Sequence, residues 1–568
     1  MAVSNRQIAK AFRLASQLME LHNENPFKIR SLQNAAFKIE KLGSPLSEMQ
    51  LFELSSLEGI GKGLQTKITD YLVRESFLEL DEYLSKTPVG VVDMLSIKGI
   101  GPKKVFQLWK ELEIESVGEL LYACNENRLI ALKGFGDKTQ KLIQSNIEFR
   151  LSNQSFCLYP VAEIMSNEII SSFEKLSVKG KISSTGELRR KCEVISVIDF
   201  LVSANENELT EFLLKQDQFK DQKIKMQTVQ LSDKQFQTLN LLYADSIAVR
   251  FFLSSEESYA VDLFLTSGSE DHLKIFLPKI NFLAVKQFKS EIEIYNSIEL
   301  DYIIPELREG KFEMDIIEKG KLNDLVELKD LKGILHNHSN YSDGNDSLRE
   351  MAVYCKELGY EYLGICDHSK SAFYANGLRE ETILKQHKEI DLLNKELFPF
   401  RIFKGIESDI LSSGELDYEE NILKSFDFIV ASIHSNLRMD IDKATSRLIT
   451  AIENPYTTIL GHPTGRLLLS RAGYPIDHQK IIDACSANNV VIELNANPYR
   501  LDIDWRWIQA ALSKNVKISI NPDAHRKEGY HDMYYGVGIA RKGGLWKEMT
   551  FNALSCNEIE KWFDDRKV

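Results

Sequence analysis

Gly333-Ile334-Leu335-His336-Asn337-His338-Ser339-Asn340-Tyr341-Ser342-Asp343-Gly344 is the stretch that decides how the second half of this chain folds. A short apolar run suited to a buried strand ends on two histidines one residue apart. Side chains alternate along an extended segment, so His336 and His338 face the same side. The pattern then recurs downstream. Apolar residues 363–367 run into His368, residues 402–406 into Glu407, and residues 428–433 into His434. Gly461-His462-Pro463 adds another histidine. Residues 490–494 and 518–521 follow, the last running into Pro522-Asp523-Ala524-His525. Helical patterns lie between these strands. Their alternation from Leu331 onward predicts an α/β barrel, a fold whose strand ends carry the chemistry.

His336, His338, Asp343, His368, Glu407, His434, His462, Asp523 and His525 are all of ligand type. A structural metal site uses four ligands. Nine suffice for two or three divalent cations with positions left open for water, and mixed imidazole and carboxylate ligation suits Mn, Zn or Fe. Any one of these residues alone is better read as a satisfied core or surface residue. Six histidines and three acids, each at a predicted strand end, are read as a metal centre.

In this order, His-x-His, Ser-Asp-Gly, Asp-His, Gly-x-Glu, His-Ser, Gly-His-Pro and Asp-Ala-His resemble the PHP (polymerase and histidinol phosphatase) domain over most of residues 331–568. The resemblance implies that one metal takes His336, His338, Glu407 and Asp523. A second shares Glu407 and adds His434 and His462, and a third uses Asp343, His368 and His525. Such a site hydrolyses phosphoesters, the cations neutralising charge that builds on the phosphate. Arg466, just after Gly461-His462-Pro463, is a candidate phosphate contact or else a surface ion pair.

Residues 1–150 read as helical, with apolar residues such as Ile8, Phe12, Leu14 and Leu18 at three- and four-residue spacing. One turn occurs three times between helical segments: Gly59-Ile60-Gly61, Gly99-Ile100-Gly101 and Gly134-Phe135-Gly136. A glycine hairpin presents backbone N–H groups at a helix start, which bind phosphate without reading sequence. Lys62, Lys103 with Lys104, and Lys138 follow the three copies and add charge. The repeat predicts non-specific DNA contact.

Residues 151–310 read as α+β, with strands at residues 194–202 and 259–264. Hairpins, an α+β domain and a PHP domain, in that order, resemble the bacterial family X DNA polymerases of the PHP-fused type across the whole chain. Ile304-Pro305-Glu306-Leu307-Arg308-Glu309 fits the junction of that family. The resemblance implies a lyase-like domain at 1–85, a second hairpin domain at 86–150, a palm and thumb at 151–315, a linker at 316–330 and the PHP domain at 331–568. It places the Schiff-base lysine on Lys67, which is also readable as a solvated helix residue. Asn34 stands where the family has a basic residue before its paired alanines.

The palm departs from its family. Two-metal nucleotidyl transfer needs carboxylates on adjacent strands holding two Mg ions about 4 Å apart. The family's Asp-x-Asp reads here as Val197-Ile198-Asp199, and the third acid is assigned to Asp262. Valine cannot coordinate Mg. The triphosphate motif Gly-Ser-x-Arg-Arg reads Gly186-Glu187-Leu188-Arg189-Arg190, with Glu187 expected to repel a phosphate. The stretch after Asp262 reads as shortened, lacking the usual aromatic pair. A vestigial nucleotide site follows, with dNTP binding in doubt and Glu193 the nearest spare carboxylate.

The bulk composition fits this reading. The 568 residues are 43% hydrophobic and 27% charged, as in an ordinary multidomain globular protein. The net charge of −13 argues against a DNA-coating protein, yet residues 1–150 hold about 20 Lys and Arg against about 19 Asp and Glu. Seven scattered cysteines indicate neither a disulfide framework nor a zinc ribbon. There is no signal core or membrane-length apolar run, so a cytoplasmic protein is expected. A monomer is expected as well. The leading expectation is a DNA-repair phosphodiesterase: a 3′-5′ exonuclease, with cleavage at abasic sites as a further activity, acting on gapped, recessed or damaged DNA. Active gap-filling synthesis and a DNA-binding scaffold with idle sites remain as alternatives.

Overall fold

The computed structural model describes residues 4–40, 42, 46–49, 60–97, 99–151, 156–176, 178–220, 222–244, 246–281 and 288–566. The chain divides into two compact units, Met1–Asn125 with Leu132–Glu148, and Glu126–Ala131 with Phe149–Val568.

The first unit is helical among its described residues. Ile8, Phe12 and Leu18 are buried on one face of the helix Asn5–Leu21, while Leu14 is partly exposed. Three helices start at the glycine turns: Lys62–Arg74, Pro102–Glu111 and Asp137–Leu151. Gly99 and Gly134 adopt φ of 97° and 90°, a region that costs a residue with a Cβ. Gly59 of the first turn lies outside the described residues.

The second unit opens with an antiparallel pair, β1 (Cys157–Leu158) with β3 (Val194–Ile195). A five-stranded sheet follows, in the order β2 (Ile182–Thr185), β4 (Val197–Val202), β7 (Ile247–Leu253), β6 (Lys234–Tyr243), β5 (Lys225–Leu231). Its β4 and β7 are parallel neighbours and the other pairs are antiparallel. Residues 259–264, read from sequence as a strand, form instead the first two turns of a helix, Tyr259–Ser267. A short apolar run buried on most sides carries no period that separates strand from helix.

The charged stretch read as a linker is folded. It holds the helix Glu313–Glu318 and buries Leu322, Leu325 and Val326. The Val326 N–H donates to the Leu545 carbonyl at 3.0 Å.

From Gly333 the chain forms a seven-stranded, all-parallel sheet ordered β8 to β14: Gly333–Ile334, Tyr362–Ile365, Arg401–Asp409, Phe428–Ser432, Ile459–Leu460, Val491–Asn495 and Ile518–Asn521. Apolar runs covered on both faces favour this parallel arrangement, and every residue of β9, β11, β13 and β14 is buried. The sheet curls until its ends meet, with a parallel bridge from Asn337 to Ala524. The two-residue strand β12, ahead of His462, is one the sequence reading did not separate. No helix among the described residues is long and apolar enough to cross a membrane.

Candidate metal centre and the palm site

Closure of the barrel brings its first and last strand ends together. The His338 N–H donates to the Ala524 carbonyl at 2.8 Å, and the Asp523 N–H to the His336 carbonyl at 3.1 Å. Asn337, between the two histidines, points the other way and donates to the Gly364 carbonyl at 2.8 Å. Asp367 ties the next loop down. It accepts from the Ser339 N–H at 2.8 Å and hydroxyl at 2.7 Å, and from the Ser342 hydroxyl at 2.6 Å. Burial lifts its carboxyl to about 6 despite these bonds.

All nine ligand-type residues converge at the barrel mouth, and all are buried or nearly so. Glu407 lies at the centre. Its Oε1 is 3.3 Å from His336 Nε2, 3.1 Å from His434 Nε2 and 3.0 Å from His462 Nε2, while Oε2 is 2.9 Å from His368 Nδ1. Asp523 Oδ1 is 3.0 Å from His338 Nε2. Asp343 faces His368 Nε2 at 3.6 Å and His525 Nε2 at 3.5 Å. Asp523 itself adopts a φ of 52°, a backbone cost that tends to gather at working sites.

Several of these buried atoms lack a well-formed hydrogen bond: His336 Nε2, His338 Nδ1, both nitrogens of His368, Glu407 Oε2 and His525 Nε2. Orphaned polar atoms cost free energy unless a cation or donor meets them. The donor set therefore fits divalent cations. His338, Asp343, His368 and His525 form one group with donor atoms close enough to share an ion; His336, Glu407 and His462 form a second, His368, Glu407 and His434 a third, His336, His338 and Asp523 a fourth, and Asp523 and His525 a fifth together with Glu126. This pairs His368 with Glu407 as well as with Asp343, and His462 with His336, where the family pattern keeps these residues apart.

An outer ring of carboxylates orients the histidines. Glu493 Oε1 is 2.7 Å from His336 Nδ1, and its Oε2 accepts the His462 N–H at 2.7 Å. Asp409 Oδ1 is 2.5 Å from His434 Nδ1. Such partners fix the tautomer that leaves Nε2 free for a metal. The sequence reading missed both acids. Their signal was present, since Asp409 stands two residues after Glu407 and shares its strand face. Burial opposes charge on His434, but Glu407 and Asp409 outweigh it and hold the imidazole at about 9. Burial pushes His338 down to about 3, with His525 and His368 adding to the effect.

Arg466 does not face the ligand cluster as a spare phosphate clamp. It donates to the Arg500 carbonyl at 2.9 Å and to Asp504 at 2.5 Å, and also to the Leu501 carbonyl.

The residues expected to form a palm site are each engaged by other parts of the chain. On β7, beside Asp199, stands Arg250. Its Nε donates to Asp199 Oδ1 at 2.8 Å and its Nη2 to Oδ2 at 3.0 Å. The neighbouring-strand position that faces Asp199 thus carries a cation. Asp262 is not that acid. It sits on the helix and is engaged by Lys234 and, at 2.7 Å each, by the Ser254 and Ser258 hydroxyls.

Glu187 turns inward, accepting the Ser196 N–H at 2.7 Å and hydroxyl at 2.9 Å. Gly186 packs so closely that a Cβ would lie 2.5 Å from Asp199 Oδ2. Arg189 is held bidentately by Glu291 at 3.0 and 2.5 Å. Arg190 meets Glu309 at 3.0 Å. Glu193 is buried and lies 3.5 Å from Arg506, turned to the barrel rather than to Asp199.

In the helical unit, Gly61, Gly101, Gly134 and Gly136 each have open space where a Cβ would be, so their turns are uncovered. Lys62 opens one of the following helices, Lys103 and Lys104 lie in the first turn of the next, and Lys138 in that of the third. Lys67 is ion-paired to Glu79.

Family models match three segments: a helix-hairpin-helix domain over residues 3–77, a SAM-like helix-hairpin-helix tandem over 91–147 and a PHP domain over 335–497. The chain is 34% identical over 572 residues to the DNA polymerase/3′-5′ exonuclease PolX of Bacillus subtilis (strain 168), covering 98% of each. The barrel region is also 27% identical over 188 residues to a probable phosphatase of Thermoanaerobacter sp. (strain X514), spanning 31% of this chain and 74% of that one. A probable phosphatase of Caldanaerobacter subterraneus is 35% identical over 176 residues, or 29% of this chain and 66% of that one.

Proposed function

The chain belongs to the family X DNA polymerase/3′-5′ exonucleases of the PolX type, and from that premise we propose that it hydrolyses DNA phosphodiesters at the barrel mouth, as a 3′-5′ exonuclease of DNA repair. The observation that carries the proposal is the convergence of nine ligand-type side chains, among whose buried donor atoms several lack a hydrogen-bond partner. Two or three divalent cations held there supply the positive charge that phosphodiester hydrolysis requires, with Mn, Zn and Fe all compatible with these donors. Glu493 and Asp409 orient the histidines, and Asp367 holds the Ser339–Ser342 turn that presents Asp343. Cleavage at abasic sites is a further activity of the same centre.

The remaining assignments follow the same reading. The hairpins at residues 59–61, 99–101 and 134–136 hold DNA by its phosphates, with Lys62, Lys103, Lys104 and Lys138 adding charge. The domains run 1–85, 86–150, 151–315 and 331–568, with the folded stretch 316–330 between the last two. The protein acts as a cytoplasmic monomer on gapped, recessed or damaged DNA. Lys67 is secondary as a lyase nucleophile, because its side chain is engaged by Glu79.

Polymerisation is weak or lost. Val197 offers no ligand, Arg250 neutralises the one remaining carboxylate, and Arg189 and Arg190 are committed to Glu291 and Glu309. Gap-filling synthesis is the competing reading, because the name of the Bacillus relative includes polymerase. One experiment separates the two. End-labelled gapped, recessed and abasic DNA is incubated with protein, Mn and dNTPs. Shortened products support hydrolysis, extended products support synthesis, and unchanged DNA leaves the scaffold.

A further inference from the structure

The segment Glu126–Ala131 belongs to the same compact unit as the palm and barrel, although it lies far upstream of the first barrel strand. Glu126 is only 4% exposed. Its Oε2 lies 2.7 Å from Nδ1 of His525. The other nitrogen of that ring, Nε2, is buried without a hydrogen bond and faces Asp343 at 3.5 Å. Asn127 donates to Asn345 at 2.8 Å, and the Arg128 guanidinium stands 4.7 Å from the centre of the Tyr374 ring. The segment is thus held on both sides of the acid.

The arrangement repeats one already seen twice in the centre. Glu493 meets Nδ1 of His336, and Asp409 meets Nδ1 of His434. In those two, a buried carboxylate accepts a hydrogen bond from Nδ1–H, so the Nε2 lone pair is turned toward the cluster and made more basic. Nδ1 of His525 lies 3.1 Å from the Asp523 carbonyl as well as 2.7 Å from Glu126. A carboxylate buried as deeply as Glu126 needs a donor or a cation, and His525 is the donor that meets it.

We propose that Glu126 is a positioning residue of the metal centre: from outside the barrel it orients His525 toward the cation shared with Asp343 and His368. The inference rests on the reading of the nine residues as ligands. It implies that the barrel alone lacks one element of its own centre. Every other outer carboxylate named above comes from within residues 331–568, and this one is supplied by residue 126.

The test uses the full chain and reads metal binding directly. Mn(II) is titrated into apoprotein and followed by electron paramagnetic resonance, with chelator competition giving the affinity of each class of site. For Glu126→Ala, one class is expected to weaken by roughly 10- to 100-fold while the others keep their affinity. Glu126→Gln is expected to lose less, because an amide oxygen still accepts a hydrogen bond from Nδ1–H but brings no charge. Hydrolysis by either variant is expected to fall at low Mn and recover at high Mn, which a merely structural defect would not do. His525→Ala is expected to weaken the same class, and adding Glu126→Ala to it should cost nothing more. Unchanged affinity in both Glu126 variants, or losses that add to that of His525→Ala, would overturn the proposal. If Glu126→Ala does not fold, Glu126→Gln decides alone, and wild-type affinity there overturns it. A wild-type chain that binds no divalent cation overturns the metal reading itself, and this inference with it.

Discussion

Arg250 on β7 faces Asp199 on β4 and holds both carboxylate oxygens, at 2.8 and 3.0 Å. An internal cation occupies the place where a palm would gather metal. Loss of groups that stabilise transition-state charge costs two or more orders of magnitude in rate. The wild-type chain is therefore expected to add no measurable nucleotide in a primer-extension assay with Mg or Mn. Val197→Asp alone should stay inactive, because Arg250 still neutralises Asp199; Val197→Asp with Arg250→Asp is the smallest change expected to restore some extension. Glu187→Ser should not help, because it removes the acceptor for Ser196. Robust extension by the unmodified chain would sink this reading.

His336→Ala with His338→Ala removes two ring donors from the barrel mouth. Hydrolysis of end-labelled DNA should fall by at least about a hundredfold. Affinity for the same DNA in the absence of turnover should change little, because the hairpins carry it. Cleavage at the wild-type rate in the double variant would refute the metal assignment.

Glu493→Gln keeps the shape of an outer-ring carboxylate and removes its charge. It should lower divalent metal affinity by roughly 10-fold or more, read by chelator competition, with thermal stability of the metal-free chain little altered. Equal affinity in wild type and variant would mean that Glu493 serves only the backbone around His462.

DNA binding should weaken steeply with salt. Each lysine that neutralises a phosphate contributes a slope of about −0.9 in log K against log salt. Replacing Lys62, Lys103, Lys104 and Lys138 by Gln should flatten that slope in a fluorescence titration of gapped DNA. Lys104 also stands 5.1 Å from the centre of the Phe135 ring, so its replacement touches packing within the helical unit. A slope equal to that of wild type in the fourfold variant would show that phosphate is held elsewhere.

Acid should destabilise the fold partly through His387. Burial pushes its imidazole down to about 4, with Lys404 adding to the effect and Asp427 and Asp391 opposing it. The unfolded ring titrates near 6.5. Because the folded value is depressed, the stabilising contribution is fully present above about pH 6.5 and is lost as pH falls toward 4. His387→Gln should therefore lose less stability than wild type between pH 7 and pH 5, measured by urea midpoints. Parallel curves for the two proteins would place the acid sensitivity elsewhere.

The sequence alone was enough to place the barrel and to single out the nine residues that it gathers at its mouth. His336, Glu407 and His434 each stand directly after an apolar run, and whether a run ends on histidine or acid is a local fact. The hairpin repeats were legible for the same reason, since the glycines and the following lysines lie within a few residues of each other. The helix at Tyr259 was not legible, because a buried apolar run of that length shows no period that separates helix from strand. What only the tertiary structure decided are the partnerships across distance. Nothing local to Arg250 announces that parallel register will set it against Asp199. Nothing near Glu126 announces His525. A side chain's identity is written in its own stretch of chain, but its electrostatic role depends on which charge folding sets a few ångströms away. That choice belongs to strand register and domain packing, where residues remote in sequence become nearest neighbours.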